Sequence, residues 1–175
     1  FILFCVAYGK WLKTKIPTKL ENLFFGVSIA LSFYVYTYLW QVVVVVIGLT
    51  FLFLIYQKDW LKFKNLLIVS FFAGILALPM ILFTLKQISS TFYWQSISRV
   101  GLVNTHLPTA LSFYLGVMIL SLFSLWLISF IFIKGLKDDI EYRNTFIFTT
   151  LLGFSLFVVL FSNIVTGKEL EISNH

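Results

Sequence analysis

Charged residues divide this chain into long apolar runs. Four stretches carry no Asp, Glu, Lys or Arg: Asn22–Gln57 (36 residues), Asn65–Leu85 (21), Val100–Ile133 (34) and Asn144–Gly167 (24). A helix needs about 20 apolar residues to cross the roughly 30 Å hydrocarbon core of a bilayer, so each run is long enough. The first run, as one helix rising about 1.5 Å per residue, would exceed 50 Å, so it must hold two spans. The segment Tyr34-Val-Tyr-Thr-Tyr-Leu-Trp40 is the natural place to divide it, because Tyr and Trp concentrate at the headgroup level.

The predicted spans are therefore 23–39, 41–56, 66–85, 109–133 and 145–165, preceded by an apolar stub, 1–8, that reads as the last half of another span. The expected fold class is all-α, a polytopic transmembrane helix bundle of five complete spans plus a partial one, with no separate soluble domain. Val42–Val46 is five β-branched residues in a row, which favours strand in water. In a bilayer an open strand leaves its backbone groups unpaired, so helix is expected there. Pro79 is expected to kink its span, and Gly26, Gly48, Gly74, Gly116 and Gly153, one per span, to allow close helix approach.

Composition agrees with the pattern. The chain has 175 residues, 60% hydrophobic, 19% aromatic and 11% charged, with a mean hydropathy of +0.98. Soluble domains carry about 25% charged residues, so a soluble enzyme, a nucleic-acid binder and a secreted disulfide scaffold are excluded as primary readings. The single cysteine, Cys5, reads as a packing residue. The chain starts at Phe1 and stops within a polar segment at His175, which suggests a piece of a longer protein.

The net charge of +6 is ordered along the chain. Lys10, Lys13, Lys15 and Lys19 fall in one loop (9–22), Lys58, Lys62 and Lys64 in a second (57–65), and Lys134, Lys137 and Arg143 in a third (134–144). Basic loops mark the cytoplasmic side, and an even number of spans separates each consecutive pair, so the proposed topology places all three inside. Lys86, Arg99 and Lys168 remain outside, in the outer loops 86–108 and 166–175. A bacterial plasma membrane is the expected location, with the lipid bilayer as partner and no nucleic acid.

No Asp, Glu, Lys, Arg or His lies within a predicted span, so chemistry is expected at the outer surface. The first outer loop holds Tyr93, Trp94, Gln95, Arg99, Asn104 and His106. Arg99 suits a lipid phosphate, either as a snorkelling residue or as a substrate contact. Tyr93 and Trp94 suit a sugar face or an aromatic belt, and His106 a proton shuttle or a solvated position before a helix opened by Pro108. The second loop places Lys168, Glu169, Glu171 and His175 beside the membrane. Two carboxylates and one imidazole form no specific metal-ligand pattern, so no metal site is assigned. Gly-rich phosphate loops, Cys pairs and Ser-centred elbows are absent.

Three segments together suggest a family: Phe33-Tyr-Val-Tyr-Thr-Tyr-Leu-Trp40, Arg99-Val-Gly-Leu102 followed by Pro108, and Asn163…Thr166-Gly167-Lys168…His175. The chain resembles bacterial GT-C type membrane glycosyltransferases, which are similar to the dolichyl-phosphate-mannose protein mannosyltransferases. The resemblance implies sugar transfer from a polyprenyl-phosphate donor to an acceptor on the extracytoplasmic face. The family's acidic residues would lie upstream of Phe1, leaving the catalytic base unassigned. Arg99 and Lys168 would contact the lipid phosphate, with Trp94 a further substrate-binding candidate. Glu169, Glu171 and His175 would contact the acceptor or a divalent cation. A transporter or flippase of lipid-linked or amphipathic cargo, and a non-catalytic membrane subunit, are the alternative readings.

Overall fold

The structure is a computed structural model that describes residues 1–35, 37–88, 102–104, 106–107, 110–132, 140–166 and 168–170. Its helices are α1 (Ile2–Lys13), α2 (Lys19–Val35), α3 (Thr37–Gln57), α4 (Trp60–Ile88), α5 (Ala110–Phe132), α6 (Ile140–Leu160) and the single turn α7 (Asn163–Thr166). Two three-residue strands, β1 (Leu102–Asn104) and β2 (Lys168–Leu170), pair antiparallel. The expected helical class therefore holds, with this short ribbon added.

Side-chain contacts give the direction of each helix. Trp11 of α1 meets Phe25 and Asn22 of α2, so the end of α1 lies near the start of α2. Gly26 of α2 faces Val69 and Phe72 of α4, and Tyr34 reaches Leu76, so α2 and α4 run the same way. In the last pair, Trp126 stacks on Phe146 while Gly116 faces Phe161, so α5 and α6 are antiparallel. The result is an up-and-down bundle.

Three helical stretches among the described residues are long and apolar enough to cross a membrane: Leu39–Gln57, Trp60–Lys86 and Arg143–Thr166. The sequence led to an expectation of five. α2 has 17 residues, about 25 Å at 1.5 Å per residue, and its first turn carries Glu21. α5 has 23 residues, the length of a span, and Phe113–Ser129 is the apolar stretch of it that is fully described. The lysines assigned to loops also lie on helices: Lys10 and Lys13 end α1, and Lys62 and Lys64 belong to the start of α4.

The chain divides within the expected Tyr34–Trp40 segment, but α2 ends at Val35 and α3 begins at Thr37, so Thr37–Leu39, predicted for the earlier span, belong to α3; Val42–Val46 is helical within α3. Val43, Val46, Thr50 and Leu54 form a buried stripe at helical spacing. Thr50 donates its only hydroxyl proton to the Val46 carbonyl (2.7 Å), so the buried Tyr8 hydroxyl donates to Thr50 Oγ1 (2.7 Å).

The N-terminal stub has the largest change of role. α1 places Phe4, Tyr8 and Trp11 on one buried face, at i, i+4 and i+7. Phe25 of α2 lies 5.7 Å from Tyr8 and 5.3 Å from Trp11, and Phe148 of α6 lies 5.4 Å from Tyr8, as ring-centroid distances. A segment that looked like the remnant of a span is the aromatic centre of the bundle. The opposite situation holds on α4, where Ile68, Phe71, Ile75, Leu78 and Leu82 are exposed at helical spacing. Water solvates such a stripe poorly and lipid solvates it well, in keeping with a membrane protein.

Local motifs close the turns. Thr18 and Glu21 form a capping box at the start of α2: Thr18 N donates to Glu21 Oε2 (2.9 Å) and Glu21 N to Thr18 Oγ1 (3.2 Å). At the end of α3, Lys58 adopts φ 58°, with Lys58 N donating to Ile55 O and Asp59 N to Leu54 O. These two bonds make a Schellman motif, and Asp59 Oδ1 then accepts from Lys62 N (3.1 Å) to cap α4. Two residues thus reverse the chain.

The glycines divide into two kinds. At Gly116 a β-carbon would run into the Phe161 ring, and at Gly26 it would stand 3.1 Å from Phe72, so close approach is real at both. At Gly48 and Gly74 a β-carbon meets nothing within 4 Å. Gly116→Ala is therefore expected to destabilise the protein by about 1–3 kcal/mol through overpacking. Gly48→Ala should be neutral or stabilising by up to about 1 kcal/mol, from helix propensity. Denaturant unfolding in bicelles would check the pair; equal effects would refute the packing role of Gly116.

Candidate functional site

The bundle has two chemically different ends. At one end the basic segments meet. Lys62 Nζ, on α4, donates to the Leu12 carbonyl at the end of α1 (2.9 Å), and Lys10 lies 3.5 Å from Glu21 of α2. A cleft of about 430 Å³ between α1 and α6 is bordered by Lys10, Lys13 and Thr145. Parts of the first two predicted basic loops thus meet on one side, beside Thr145, the residue that follows the third. Lys134 and Lys137 lie outside the described residues.

The acidic partner at this end is kept ionised. The backbone N–H of Thr18, bonded to the Glu21 carboxylate, together with the Thr18 hydroxyl and Lys10, holds the Glu21 pKa below the usual carboxylate range. Its ion pair with Lys10 is open to water and serves orientation more than stability.

The other end carries the described parts of the two predicted outer loops. The antiparallel ribbon sets Leu102 opposite Leu170, Val103 opposite Glu169 and Asn104 opposite Lys168. It joins two segments more than 60 positions apart in sequence, both of which hold candidate residues. Next to it in sequence, exposed His106 places Nδ1 3.2 Å from the Ile164 carbonyl. A carbonyl only accepts, so Nδ1 carries the proton in this contact and neutral His106 presents Nε2 as an acceptor. The predicted Trp94, Arg99, Glu171 and His175 lie outside the described residues, while Lys168 and Glu169 are placed by strand register. Among the described residues, no three His, Cys, Asp or Glu side chains gather as metal ligands.

The end of α2 and the start of α3 reach this same end. Phe33 stacks on Trp40 with centroids 5.5 Å apart. Both line an apolar cleft of about 310 Å³ with Met80, Ile81, Thr84 and Leu85 of α4. Beside it the Tyr34 hydroxyl donates to the Leu76 carbonyl (2.9 Å), one turn before Pro79. α4 runs through Pro79 without a break. The aromatic segment is visible in sequence, but its seat against α4 is a tertiary result. So is the cleft at the basic end, whose Lys10, Lys13 and Thr145 come from distant segments.

No protein-family model, curated protein or solved structure matches the chain.

Proposed function

We propose that the protein is a GT-C-like membrane glycosyltransferase that uses a polyprenyl-phosphate sugar donor on the face opposite the basic segments. The carrying observation is the ribbon that sets Lys168 across from Asn104 at the end of the bundle that also holds the Phe33–Trp40 cleft. A lipid-linked donor has an apolar tail and a charged phosphosugar at the interface. The cleft suits the tail, and Lys168 with Arg99 suits the phosphate. In transfer, the acceptor hydroxyl gives its proton to a carboxylate as its oxygen bonds to the sugar carbon. The sugar–phosphate bond breaks toward the phosphate, where positive charge stabilises the departing anion.

On this reading α2, α3, α4, α5 and α6 cross the bilayer, with the basic end cytoplasmic. Support comes from the side-by-side course of α2 with α4 and of α5 with α6, and from the basic segments collected at one end. Cysteines introduced at positions 13 and 62 should label from the inside and at 168 from the outside. Labelling of 62 and 168 from one side would overturn this topology.

The functional test supplies the full-length protein, in liposomes, with a radiolabelled polyprenyl-phosphate hexose and candidate acceptors. Label should pass to the acceptor, and Lys168→Ala should lower turnover by roughly a hundredfold, as expected for lost charge stabilisation. Donor that crosses the bilayer intact, without transfer, would replace the transferase reading with that of a flippase.

A further inference from the structure

α4 is anchored to the bundle along only part of its length. Leu66, Val69, Ala73 and Ala77 are buried at intervals of three and four residues, the stripe of a helix packed on its neighbours. Gly26 of α2 lies against Val69 and Phe72, and the Tyr34 hydroxyl donates to the Leu76 carbonyl (2.9 Å). The buried stripe stops at Ala77: from 78 to 86 every residue is exposed or half-buried. Pro79 stands at that boundary. With no N–H it cannot bond the Ile75 carbonyl, and its ring crowds that oxygen. The ladder of helix bonds is therefore interrupted where the packing ends, the usual seat of a helix bend.

The Phe33–Trp40 cleft straddles this boundary. Phe33 packs on the core, and Trp40 precedes the buried Val42 and Val43, so both belong to the anchored part of the bundle. The opposite wall, formed by Met80, Ile81, Thr84 and Leu85, comes entirely from the α4 segment after Pro79. That segment is tied to itself, with the Thr84 hydroxyl donating to the Met80 carbonyl (2.9 Å). One wall of the cleft is fixed, and the other is a short helical arm that begins at a proline. Few buried contacts beyond a weakened turn let such an arm move as a unit while the rest of the helix stays in place.

We propose that α4 hinges at Pro79 and that its arm, residues 80–85, closes the apolar cleft against Phe33 and Trp40 when the lipid tail of the donor lies there. The occupant rests on the transferase reading; the hinge rests on Pro79 and on where burial ends. Tyr34 fixes the near side of the hinge, because it ties the helix that carries Phe33 to α4 just before Pro79. A tail in the cleft touches both walls when the arm is closed and one wall when it is open. Its binding therefore shifts the population toward closure.

The test uses the full chain in phosphatidylcholine nanodiscs, with the single native cysteine removed by Cys5→Ser and spin labels on introduced cysteines. Leu82→Cys reports the arm and Ile68→Cys the anchored part of α4, each paired with Phe154→Cys on α6; all three positions are exposed. Pulsed electron double resonance should give a broad distance distribution for the 82/154 pair and a narrow one for the 68/154 pair. Farnesyl phosphate should narrow the 82/154 distribution toward the width of the other, whereas inorganic phosphate should leave it broad. Pro79→Leu restores the missing N–H at an exposed position, so it should narrow the 82/154 distribution with no ligand added.

An 82/154 distribution as narrow as that of 68/154 from the start, or one that Pro79→Leu does not narrow, would overturn the hinge. One that farnesyl phosphate leaves broad would overturn closure on the tail. The transferase reading is measured separately, by label transfer in liposomes with the unlabelled protein. Failed transfer together with distances that depend on Pro79 would remove the transferase and leave the hinge; narrow distances with transfer intact would do the reverse.

Discussion

Trp11→Ala is expected to lower the unfolding free energy by about 3–5 kcal/mol, the usual range for an aromatic core side chain cut to a methyl group. Trp11 is fully buried, packs on Phe25 and donates from Nε1 to Asn22 Oδ1 (2.9 Å). The truncation removes a large ring and leaves the Asn22 oxygen without this donor. The damage should also spread, because Phe25 contacts Tyr8 and Phe4 as well as Trp11. Trp11→Phe keeps most of the volume and loses the hydrogen bond, so it should cost about 1 kcal/mol. Reversible unfolding in bicelles, followed by tryptophan-independent circular dichroism, would measure both. A Trp11→Ala loss below about 1 kcal/mol would mean that α1 is not part of the folding core.

The second large effect concerns the basic end. Lys62→Met keeps the aliphatic stem but removes the ammonium that bonds the Leu12 carbonyl, one of the acceptors that the end of α1 leaves unpaired. Hydrogen bonds from charged donors contribute about 1.5–3 kcal/mol, and a loss of that size is expected. Thr14 already serves the Lys10 carbonyl through its N–H (3.1 Å) and its hydroxyl (2.9 Å), but neither group bonds Leu12. Lys64→Met, two positions along α4, should stay within about 0.5 kcal/mol of the parent. If the two variants lose the same stability, the link from α4 to α1 has no energetic role.

Much of the architecture can be read from residues close in sequence. The scarcity of charge indicates a membrane protein, and Tyr34–Trp40 marks the reversal between α2 and α3. The capping box is visible as Thr18-Lys-Leu-Glu21, although its value lies in starting a helix so near the basic segment. The buried face of α1 is visible too, in the spacing of Phe4, Tyr8 and Trp11. Apolar composition hides it, because a stripe stands out only against polar neighbours, and here nearly every neighbour is apolar.

The candidate sites were less legible. His106, Lys168 and Asn104 could be named from sequence, but the ribbon that joins their segments depends on backbone hydrogen bonds between distant strands. Span bounds were less legible for a related reason. Charge-free length sets an upper bound on helix, whereas turns, caps and the lysines at helix ends decide how much of that length each helix uses.

Sequence by itself determined the solvent of this protein and the positions of its basic segments, because transfer of apolar side chains to lipid depends on composition and run length. Tertiary structure alone decided that the N-terminal helix is the core and that Gly116 is a contact while Gly48 is open space. It also decided that Lys10 borders two clefts, one of them walled by Glu21. These outcomes rest on which faces meet across tens of residues, and in so apolar a chain no local pattern distinguishes a face turned to protein from one turned to lipid.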